Sequence, residues 1–310
     1  MELLSVVVPC FNEEESILDF YKEFSIVFKE ISSSFNYELI FIDDGSRDNT
    51  LTVIKELSLK DENVKFISFS RNFGKEAGIY AGLEKSKGDY VVLMDVDLQD
   101  PPSLIPEMLD IIKNNRYDIV ATRRVSRKGE PVIRSFFARL FYKIMNMGTN
   151  LNLVDGARDY RLMTRPVVDS ILQITEYNRF SKGIFGWIGF EIKWLEYENI
   201  ERLKGETSWS FWSLFKYSLE GIISFSTFPL NVSIIFGIIF SLFAFLFLLR
   251  VLIETLLFGN SVRGWASTVS IILLLGGIQL FSIGILGKYI EKTYLESKKR
   301  PIYLIKEDNL

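Results

Sequence analysis

The sequence predicts a doubly wound α/β domain followed by two membrane-spanning helices. Short apolar runs rich in β-branched residues alternate with amphipathic helical segments in the first part of the chain, which is typical of a sheet with helices on both faces. Acidic residues directly follow several of these runs. Two long segments without any charged residue lie in the last third of the chain.

Five strands are predicted in the first domain. They are residues 5–9, 37–42, 64–69, 90–94 and 118–122. Asn12 is the predicted N-cap of the first helix, whose apolar residues recur at helical spacing over residues 17–31. Asp48 and Asn49 are predicted to cap the second helix, and residues 74–83 form a third helix rich in glycine and alanine.

The fourth strand leads into an acidic loop, with the sequence DYVVLMDVDLQDPP at residues 89–102. The strand delivers Asp95, Asp97 and Gln99 at its carboxyl end, where open α/β sheets bind ligands. Asp100, followed by two prolines, is predicted to cap the next helix. Hard oxygen ligands at this spacing suit Mg²⁺ or Mn²⁺, which take further ligands from phosphate and water. The alternative is an acidic loop that only caps a helix.

A second acidic cluster, Asp43 and Asp44, follows the second strand. The carboxyl ends of parallel strands lie at the same edge of a sheet, so we expect both clusters to face one cleft. Clustered acids repel one another, and such an arrangement indicates a binding or catalytic site.

Composition excludes several kinds of chemistry. The 310-residue chain has no histidine, which removes Ser-His-Asp and Cys-His nucleophiles and histidine metal ligands. Cys10 is the only cysteine, so no intrachain disulfide forms, which fits a reducing compartment. The net charge of −3 argues against nucleic acid as a partner. The N-terminus has no basic region and is predicted to be a strand and not a signal peptide.

Two segments have the character of interfacial membrane helices. Residues 131–147 carry an apolar, aromatic stripe flanked by Arg134, Arg139 and Lys143, as helices lying on a bilayer do. An ordinary core-facing helix is the alternative for this segment. Residues 209–228 are also aromatic-rich and lead directly into a proline and the first uncharged segment.

The uncharged segments are predicted to form a transmembrane hairpin within residues 229–290. Residues 230–249 contain no charged residue and are long enough to cross a hydrocarbon core of about 30 Å. We place the two helices at about residues 230–252 and 265–287. Two spans put both termini on one side. The basic residues after the second span, which lead into a tail at residues 291–310, put that side in the cytoplasm. Glycines in the second span permit close helix packing within a chain or in a homo-oligomer.

Six motifs occur in a fixed order before the predicted hairpin. They are VVVPCFNEEESI, FIDDGSRDNT, SRNFGKEAG, MDVDLQDPP, GARDYRLM and RLKGETSW. Together they resemble the inverting family-two glycosyltransferases of the polyisoprenyl-phosphate type, namely bactoprenol glucosyltransferases and dolichyl-phosphate mannose synthases. The resemblance covers nearly the whole chain. It implies a GT-A-type doubly wound mixed sheet in residues 1–208 and transfer of a sugar from a nucleotide diphosphate to a polyprenyl phosphate.

The resemblance also implies roles on the donor side. Asp97 and Gln99 match metal-binding positions, and Asp95 reaches the metal or the ribose. A divalent ion and basic residues are needed there because the donor leaves as a diphosphate. The positions that match donor-binding residues are Pro9, Phe11, Glu13, Asp43, Asp44 and Lys75, with Phe11 in place of the more usual tyrosine. Arg202 matches a basic residue that reaches the diphosphate, and Lys204 assists it.

On the acceptor side, Arg123 and Arg134 match arginines that bind the polyprenyl phosphate, and Arg139 is a nearby substitute. A phosphate monoester has a second pKa of about 6 and is mostly a dianion at pH 7. It therefore needs positioning by cations and not deprotonation. Asp159 lies where many relatives keep a catalytic acid, and we expect it to orient the acceptor or an arginine. Base catalysis and a structural salt bridge to a neighbouring arginine are the alternatives.

The predicted function is transfer of glucose from UDP-glucose to undecaprenyl phosphate with inversion, at the cytoplasmic leaflet of the cell membrane. The lipid tail stays in the bilayer because each CH₂ moved into water costs about 0.8 kcal/mol, so the cleft must come to the interface. The alternatives are a mannose synthase that uses GDP-mannose, a transferase that uses another nucleotide sugar, a processive polysaccharide synthase and a catalytically silent membrane scaffold. The chain lacks the Q-x-x-R-W motif of processive synthases.

Overall fold

The computed structural model describes residues 1–124, 154–197, 221–223, 226–258 and 264–310. Its strands are β1 (Glu2–Cys10), β2 (Phe35–Asp43), β3 (Val64–Phe69), β4 (Tyr90–Leu93), β5 (Ile119–Arg124), β6 (Ala157–Thr164), β7 (Ile192–Tyr197) and β8 (Ile305–Asp308). Its helices are α1 (Ile17–Ile31), α2 (Thr50–Lys60), α3 (Lys75–Lys85), α4 (Ile105–Asn114), α5 (Arg165–Leu172), α6 (Ser181–Trp187), α7 (Phe228–Phe258) and α8 (Trp265–Ser297). A short 3₁₀ helix, Pro102–Leu104, precedes α4.

The eight strands form one mixed sheet in the order β7-β5-β6-β4-β1-β2-β3-β8. The four strands β4, β1, β2 and β3 run parallel, so their carboxyl ends lie at one edge. β6 is antiparallel to both of its neighbours, and β8 is antiparallel to β3. The predicted doubly wound α/β mixed sheet is therefore confirmed.

Apolar side chains cover both faces of the sheet. On one face, Phe20 of α1 and Met108 of α4 pack in a core with the central strands. On the other face, α3 and α5 pack against the sheet. Gly82 of α3 lies where a Cβ atom would collide with Val7 of β1, so this helix approaches the sheet at backbone distance. Burial on both faces explains why the predicted strands are almost continuously apolar.

Two of the predicted helix caps are wrong. α1 begins well after Asn12, whose Oδ1 instead accepts the backbone N–H of Arg47 at 2.9 Å. Asp100 does not cap the turn that follows it, and its carboxylate is buried against Arg158 and Tyr197. Both side chains join segments that are distant in sequence.

The last residues of the chain form an edge strand that the sequence did not predict. Residues 291–310 were expected to be a tail, whereas β8 within them pairs with β3. The Nζ of Lys55 lies 2.6 Å from a carboxylate oxygen of Glu307. The Oδ1 of Asn309 accepts the N–H of Phe66 at 2.6 Å. The end of the chain is therefore attached to the sheet.

Two long helices lie between the sheet strands β7 and β8 in sequence. Among the described residues, one helix meets the length and composition needed to cross a membrane. It is Phe228–Val251 within α7, with 24 residues, a mean hydropathy of 2.8 and 0% of the segment buried. At about 1.5 Å per residue, it exceeds a hydrocarbon core of about 30 Å.

α8 covers the predicted second span and continues beyond it to Ser297. Large apolar side chains on it are exposed, among them Ile272, Leu280 and Phe281. The predicted two-helix hairpin is not confirmed, and the second span stays a prediction. The predicted interfacial helix at residues 131–147, and most of the one at 209–228, lie outside the described residues.

Candidate active site

A cleft of about 250 Å³ lies at the carboxyl ends of β1, β2 and β4. We call it the acidic cleft. Its lining includes Pro9, Phe11, Glu13, Asp44, Lys75, Asp95 and Asp97. The two acidic clusters that were expected to face one site therefore meet there. The sequence signal was sufficient because both clusters follow parallel strands of one sheet.

The two neighbouring acids of the second strand have different surroundings. Asp43 is buried, and its carboxylate accepts the N–H of Ser46 at 3.0 Å and the hydroxyl of Ser68 at 2.8 Å. Asp44 lines the cleft and accepts the N–H groups of Phe73 at 2.6 Å and Gly74 at 2.9 Å. Burial raises the pKa of Asp44 to about 6, although these two N–H groups oppose the shift. Asp43 thus shapes the turn, while Asp44 faces the site.

A glycine lets two loops of the cleft approach each other. Gly45 has a φ of 68°, in the left-handed region. A Cβ atom built there would lie 2.8 Å from the backbone nitrogen of Asn72. The turn after β2 is therefore held against the segment before α3, which places Asp44 beside the N-terminus of that helix.

An exposed aromatic ring lies at the mouth of the cleft. Phe11 is 43% exposed, whereas the other described phenylalanines of the sheet domain are buried or half-buried. The neighbouring Glu13 accepts the hydroxyl of Ser16 at 2.9 Å through Oε2. An exposed ring beside carboxylates provides a flat face for stacking with a planar group.

Lys75 connects the acidic cleft with a carboxylate on β6. Its Nζ lies 2.7 Å from Oδ1 of Asp95 and 2.7 Å from Oδ2 of Asp159. Asp159 comes from β6 and Asp95 from the loop after β4, so the lysine joins two neighbouring strands of the sheet. Asp159 forms an ion pair with Lys75, whereas the neighbouring Arg161 donates from Nε to the backbone carbonyl of Asp159 at 3.0 Å.

The charge state of Asp159 follows from this bridge. Burial opposes ionisation of Asp159, but the ammonium groups of Lys75 and Lys182, with Arg161, hold its pKa well below the usual range. A carboxylate with a low pKa is a weak proton acceptor. Its position supports the role of an orienting group more than that of a general base.

A hydrogen-bond network of largely buried side chains holds the acidic loop in place. Arg158 donates from Nη2 to Oε1 of Gln99 at 3.1 Å, and its Nε lies 3.5 Å from Oδ1 of Asp100. The hydroxyl of Tyr197 donates to the same oxygen of Asp100. Asp100 is 1% exposed, and burial raises its pKa to about 6 despite the neighbouring Arg158.

Arg158 and Tyr197 were not predicted from the sequence as site residues. The position of Arg158 beside Asp159 in GARDYRLM was a usable signal. No sequence signal indicated Tyr197, because it lies at the end of β7, and that strand was not predicted.

The residues of the cleft fit a divalent metal ion in part. Asp95 and Asp97 place hard carboxylate oxygens at the cleft, and a Mg²⁺ or Mn²⁺ ion with few protein ligands can complete its shell with phosphate oxygens. Both oxygens of Asp95 are bonded to Lys75 Nζ, at 2.7 and 2.9 Å. Gln99, the other predicted ligand, has its oxygen engaged by Arg158. Within the described ranges, no group of three or more Asp, Glu, Cys or His side chains could hold a metal by itself. A site made of two carboxylates and the substrate remains consistent with these observations.

The predicted basic residues are only partly described. Arg123, near the end of β5, forms an ion pair with Glu196 of the adjacent β7. Arg134, Arg139, Arg202 and Lys204 lie outside the described residues.

Comparison with known proteins decides the family. The family described as "Glycosyl transferase family 2" matches residues 5–172 of this chain. The chain belongs to glycosyl transferase family 2. The matched region begins in β1 and ends in α5, so it contains Asp44, Lys75, the acidic loop and Asp159. The predicted resemblance to family-two glycosyltransferases is confirmed.

Curated relatives match this family-two glycosyltransferase over almost its whole length. It is 43% identical to "Prophage bactoprenol glucosyl transferase homolog" of Escherichia coli (strain K12), over 98% of each chain. It is 42% identical to "Bactoprenol glucosyl transferase" of Shigella phage SfV, again over 98% of each chain. It is also 42% identical to "Putative glycosyltransferase CsbB" of Bacillus subtilis (strain 168), over 99% of this chain and 92% of that one.

A solved structure is a more distant match. Glucosyl-3-phosphoglycerate synthase from Mycobacterium tuberculosis, in complex with Mn²⁺, UDP-glucose and phosphoglyceric acid, is 20% identical. The match covers 72% of this chain and 78% of that one, with a TM-score of 0.46.

Proposed function

We propose that this family-two glycosyltransferase transfers glucose from UDP-glucose to undecaprenyl phosphate, with inversion, at the cytoplasmic face of a membrane. The observation that carries the proposal is the acidic cleft, which is lined by Asp95, Asp97 and Lys75, with Asp159 bonded to Lys75. The full-length relatives that are named bactoprenol glucosyl transferases support the sugar and the lipid acceptor.

The donor is assigned to the side of the cleft that contains Phe11, Asp44 and the acidic loop. The exposed ring of Phe11 can stack on a nucleobase, and Pro9, Glu13 and Asp44 line the same cavity. Asp95 and Asp97 would hold a divalent ion, which when bound offsets the charge of the leaving diphosphate. Arg202 and Lys204 remain proposed diphosphate ligands.

The acceptor is assigned to the side of Asp159. An oxygen of the phosphate dianion attacks the anomeric carbon as the bond to the diphosphate breaks, which inverts the configuration. The attacking oxygen carries no proton near neutral pH, so no general base is required. The bridge from Lys75 keeps Asp159 ionised and fixed, which supports a role in orienting basic groups around the acceptor. Arg123, Arg134 and Arg139 are the proposed phosphate ligands.

The membrane arrangement that we propose has two spans, at about residues 230–252 and 265–287, after a catalytic domain at residues 1–208. The apolar stretch in α7 supports the first span. Pairing of β8 with β3 supports the second span, because β8 must lie on the same side of the membrane as the rest of the sheet. Basic residues after the second span favour the cytoplasm for that side.

The test is a transfer assay with the purified full-length protein in detergent. It contains undecaprenyl phosphate, Mg²⁺ or Mn²⁺ and labelled UDP-glucose, with Asp97→Ala as the inactive control. We expect label in an organic-extractable, acid-labile lipid with the wild type only. Omitting the metal and adding a chelator tests the metal requirement in the same assay.

Other outcomes would change the proposal in defined ways. Equal or better transfer from GDP-mannose would replace the donor. Polymer in place of a monosaccharyl lipid would indicate a processive synthase. Nucleotide-sugar binding without transfer to any polyprenyl phosphate would contradict the proposal and favour a silent scaffold.

A further inference from the structure

A second cavity, also of about 250 Å³, lies behind one wall of the acidic cleft. We call it the rear pocket; it is lined by parts of residues 71–77 and 177–179 and by Ile302. The segment 71–77 is shared between the two cavities. Arg71, Phe73 and Glu76 line the rear pocket, whereas Asn72, Gly74 and Lys75 line the acidic cleft. A ligand in the rear pocket would contact the segment that holds Asp44 and Lys75 in place.

The rear pocket contains buried N–H donors without acceptors. Arg179 is 7% exposed, and its guanidinium is held by the carbonyl of Ile174 and by the ring of Tyr80, 4.6 Å from the ring centroid. Its Nε and the Nδ2 of Asn178 have no hydrogen-bond partner within the described part of the chain. Buried polar groups in folded proteins almost always have a partner. Two such donors in one cavity therefore indicate a ligand that brings acceptor oxygens.

The carboxylates near the pocket are engaged elsewhere. Glu76 accepts the N–H of Ser181 at 2.9 Å and also its hydroxyl, and burial raises the pKa of Glu76. Glu296, near the end of α8, accepts the backbone N–H groups of Tyr177 at 2.9 Å and Asn178 at 3.2 Å. Oxygens of Glu76 and Glu296 are thus bonded to backbone N–H groups and to the Ser181 hydroxyl, while Glu76 and Glu176 act on the Arg179 guanidinium through their charge.

Arg71 adds a second guanidinium group to the lining of the rear pocket. Arg71 is exposed, and its guanidinium carbon lies 4.1 Å from the ring centroid of Phe73. Two arginines and one amide around a small cavity are the groups that bind the oxygens of a phosphate. We propose that the rear pocket binds a phosphate group, at a site separate from the acidic cleft.

The surroundings of the pocket offer two sources for that phosphate. Ile302 and Glu296 come from the chain on either side of the exposed basic residues Lys298, Lys299 and Arg300, just beyond the proposed second span. A phospholipid headgroup is available at that level if the span is placed correctly. A free phosphate or phosphorylated metabolite reaches the same pocket from solution.

The experiment measures binding without any sugar transfer. In one arm, inorganic phosphate and glycerol phosphate are titrated calorimetrically into the full-length protein in detergent. In the other arm, the protein is released from nanodiscs that contain phosphatidylglycerol, and retained lipid is counted by native mass spectrometry. Asn178→Asp keeps the side-chain shape but replaces a donor with a charged acceptor, and Arg71→Gln removes the exposed cation. Arg300→Gln is the matched control, since it removes a nearby charge that does not line the pocket.

We expect saturable binding by the wild type in at least one arm. It should weaken by about tenfold in Asn178→Asp and Arg71→Gln, the effect of losing one charge-assisted hydrogen bond, and stay unchanged in Arg300→Gln. Binding in the soluble arm identifies a free phosphate, and binding only in the nanodisc arm identifies a lipid headgroup. Absence of binding in both arms overturns the proposal, and so does an equal loss in Arg300→Gln. Because UDP-glucose is absent, a failure of the transferase proposal leaves this result unaffected.

Discussion

Replacing Lys75 with methionine removes the charge that connects Asp95 and Asp159 but keeps the length of the side chain. Lys75 Nζ lies 2.7 Å from an oxygen of each carboxylate. A hydrogen bond between charged groups contributes about 1.5–3 kcal/mol, and partial exposure of these side chains favours the lower value. Two lost contacts of about 1.5 kcal/mol each correspond to a roughly hundredfold fall in kcat/KM, if the bridge holds the acceptor side in place.

The assay is steady-state transfer from UDP-glucose to undecaprenyl phosphate, together with a thermal unfolding curve for each variant. Lys75→Arg retains the charge and should recover part of the activity. Lys55→Met is the matched control, because it breaks the exposed pair with Glu307, away from the cleft, and surface pairs contribute about 0–1 kcal/mol. A Lys75→Met enzyme within about threefold of wild-type kcat/KM would refute the reasoning, since that corresponds to less than one such contact.

The same variant should change the pH dependence of the reaction. In the wild type, Lys75 is the largest influence that opposes the effect of burial on Asp159. Without it, the pKa of Asp159 rises, so the carboxylate takes up a proton at a higher pH. The variant should therefore lose activity in mildly acidic buffer where the wild type does not. Parallel pH–rate profiles for the two enzymes would contradict this assignment.

Three further changes test other parts of the structure, and a fusion tests its topology. The pKa of Asp44, raised from 3.8 to about 6, gives a stabilising contribution that is complete below pH 3.8 and is lost as the pH rises through about 6. Asp44→Asn should therefore gain about 2–3 kcal/mol relative to the wild type across that window; a constant difference in unfolding temperature would contradict this. Tyr197→Phe removes the hydroxyl that donates to Asp100 and should lower the free energy of unfolding by about 1–3 kcal/mol. An unchanged free energy of unfolding would contradict this role of the hydroxyl. Gly45→Ala forces a side chain into a left-handed turn and should cost at least about 1–3 kcal/mol by the same measurement, and unaltered stability would exclude the strain. A fluorescent protein fused after Leu310 should report from the cytoplasm, and a periplasmic signal would exclude two spans.

Sequence alone predicted the elements whose signals are local. The predicted strands at residues 5–9, 37–42 and 64–69 lie within β1, β2 and β3. The strand at 90–94 differs from β4 by one residue at its end, and that at 118–122 differs from β5 by one residue at the start and two at the end. Apolar patterning depends only on neighbours in the chain, which explains this agreement. The acids at the ends of β2 and β4 were predicted to share a cleft by the same reasoning, because parallel strands present their carboxyl ends together.

The tertiary structure decided which side chains meet. Lys75 and Asp159 are 84 residues apart, and Arg158 and Gln99 are 59 residues apart. Nothing local in the sequence predicts either contact, since both depend on β6 inserting antiparallel between β4 and β5. The loop acid Asp100 looked like a helix cap for the same reason. Its buried partners come from strands that are distant in the chain.

The end of the chain gives the clearest contrast. Residues 305–308 are too short and too polar to predict a strand from their pattern. They form β8 because the edge of β3 offers unpaired backbone groups, and Lys55 pairs with Glu307 across 252 residues of sequence. The sequence by itself determined five of the eight sheet strands, the acidic loops and the apolar helices, because these follow from periodicity and composition. The bridges inside the cleft and the closing strand required the folded chain, because their energies come from contacts between distant segments.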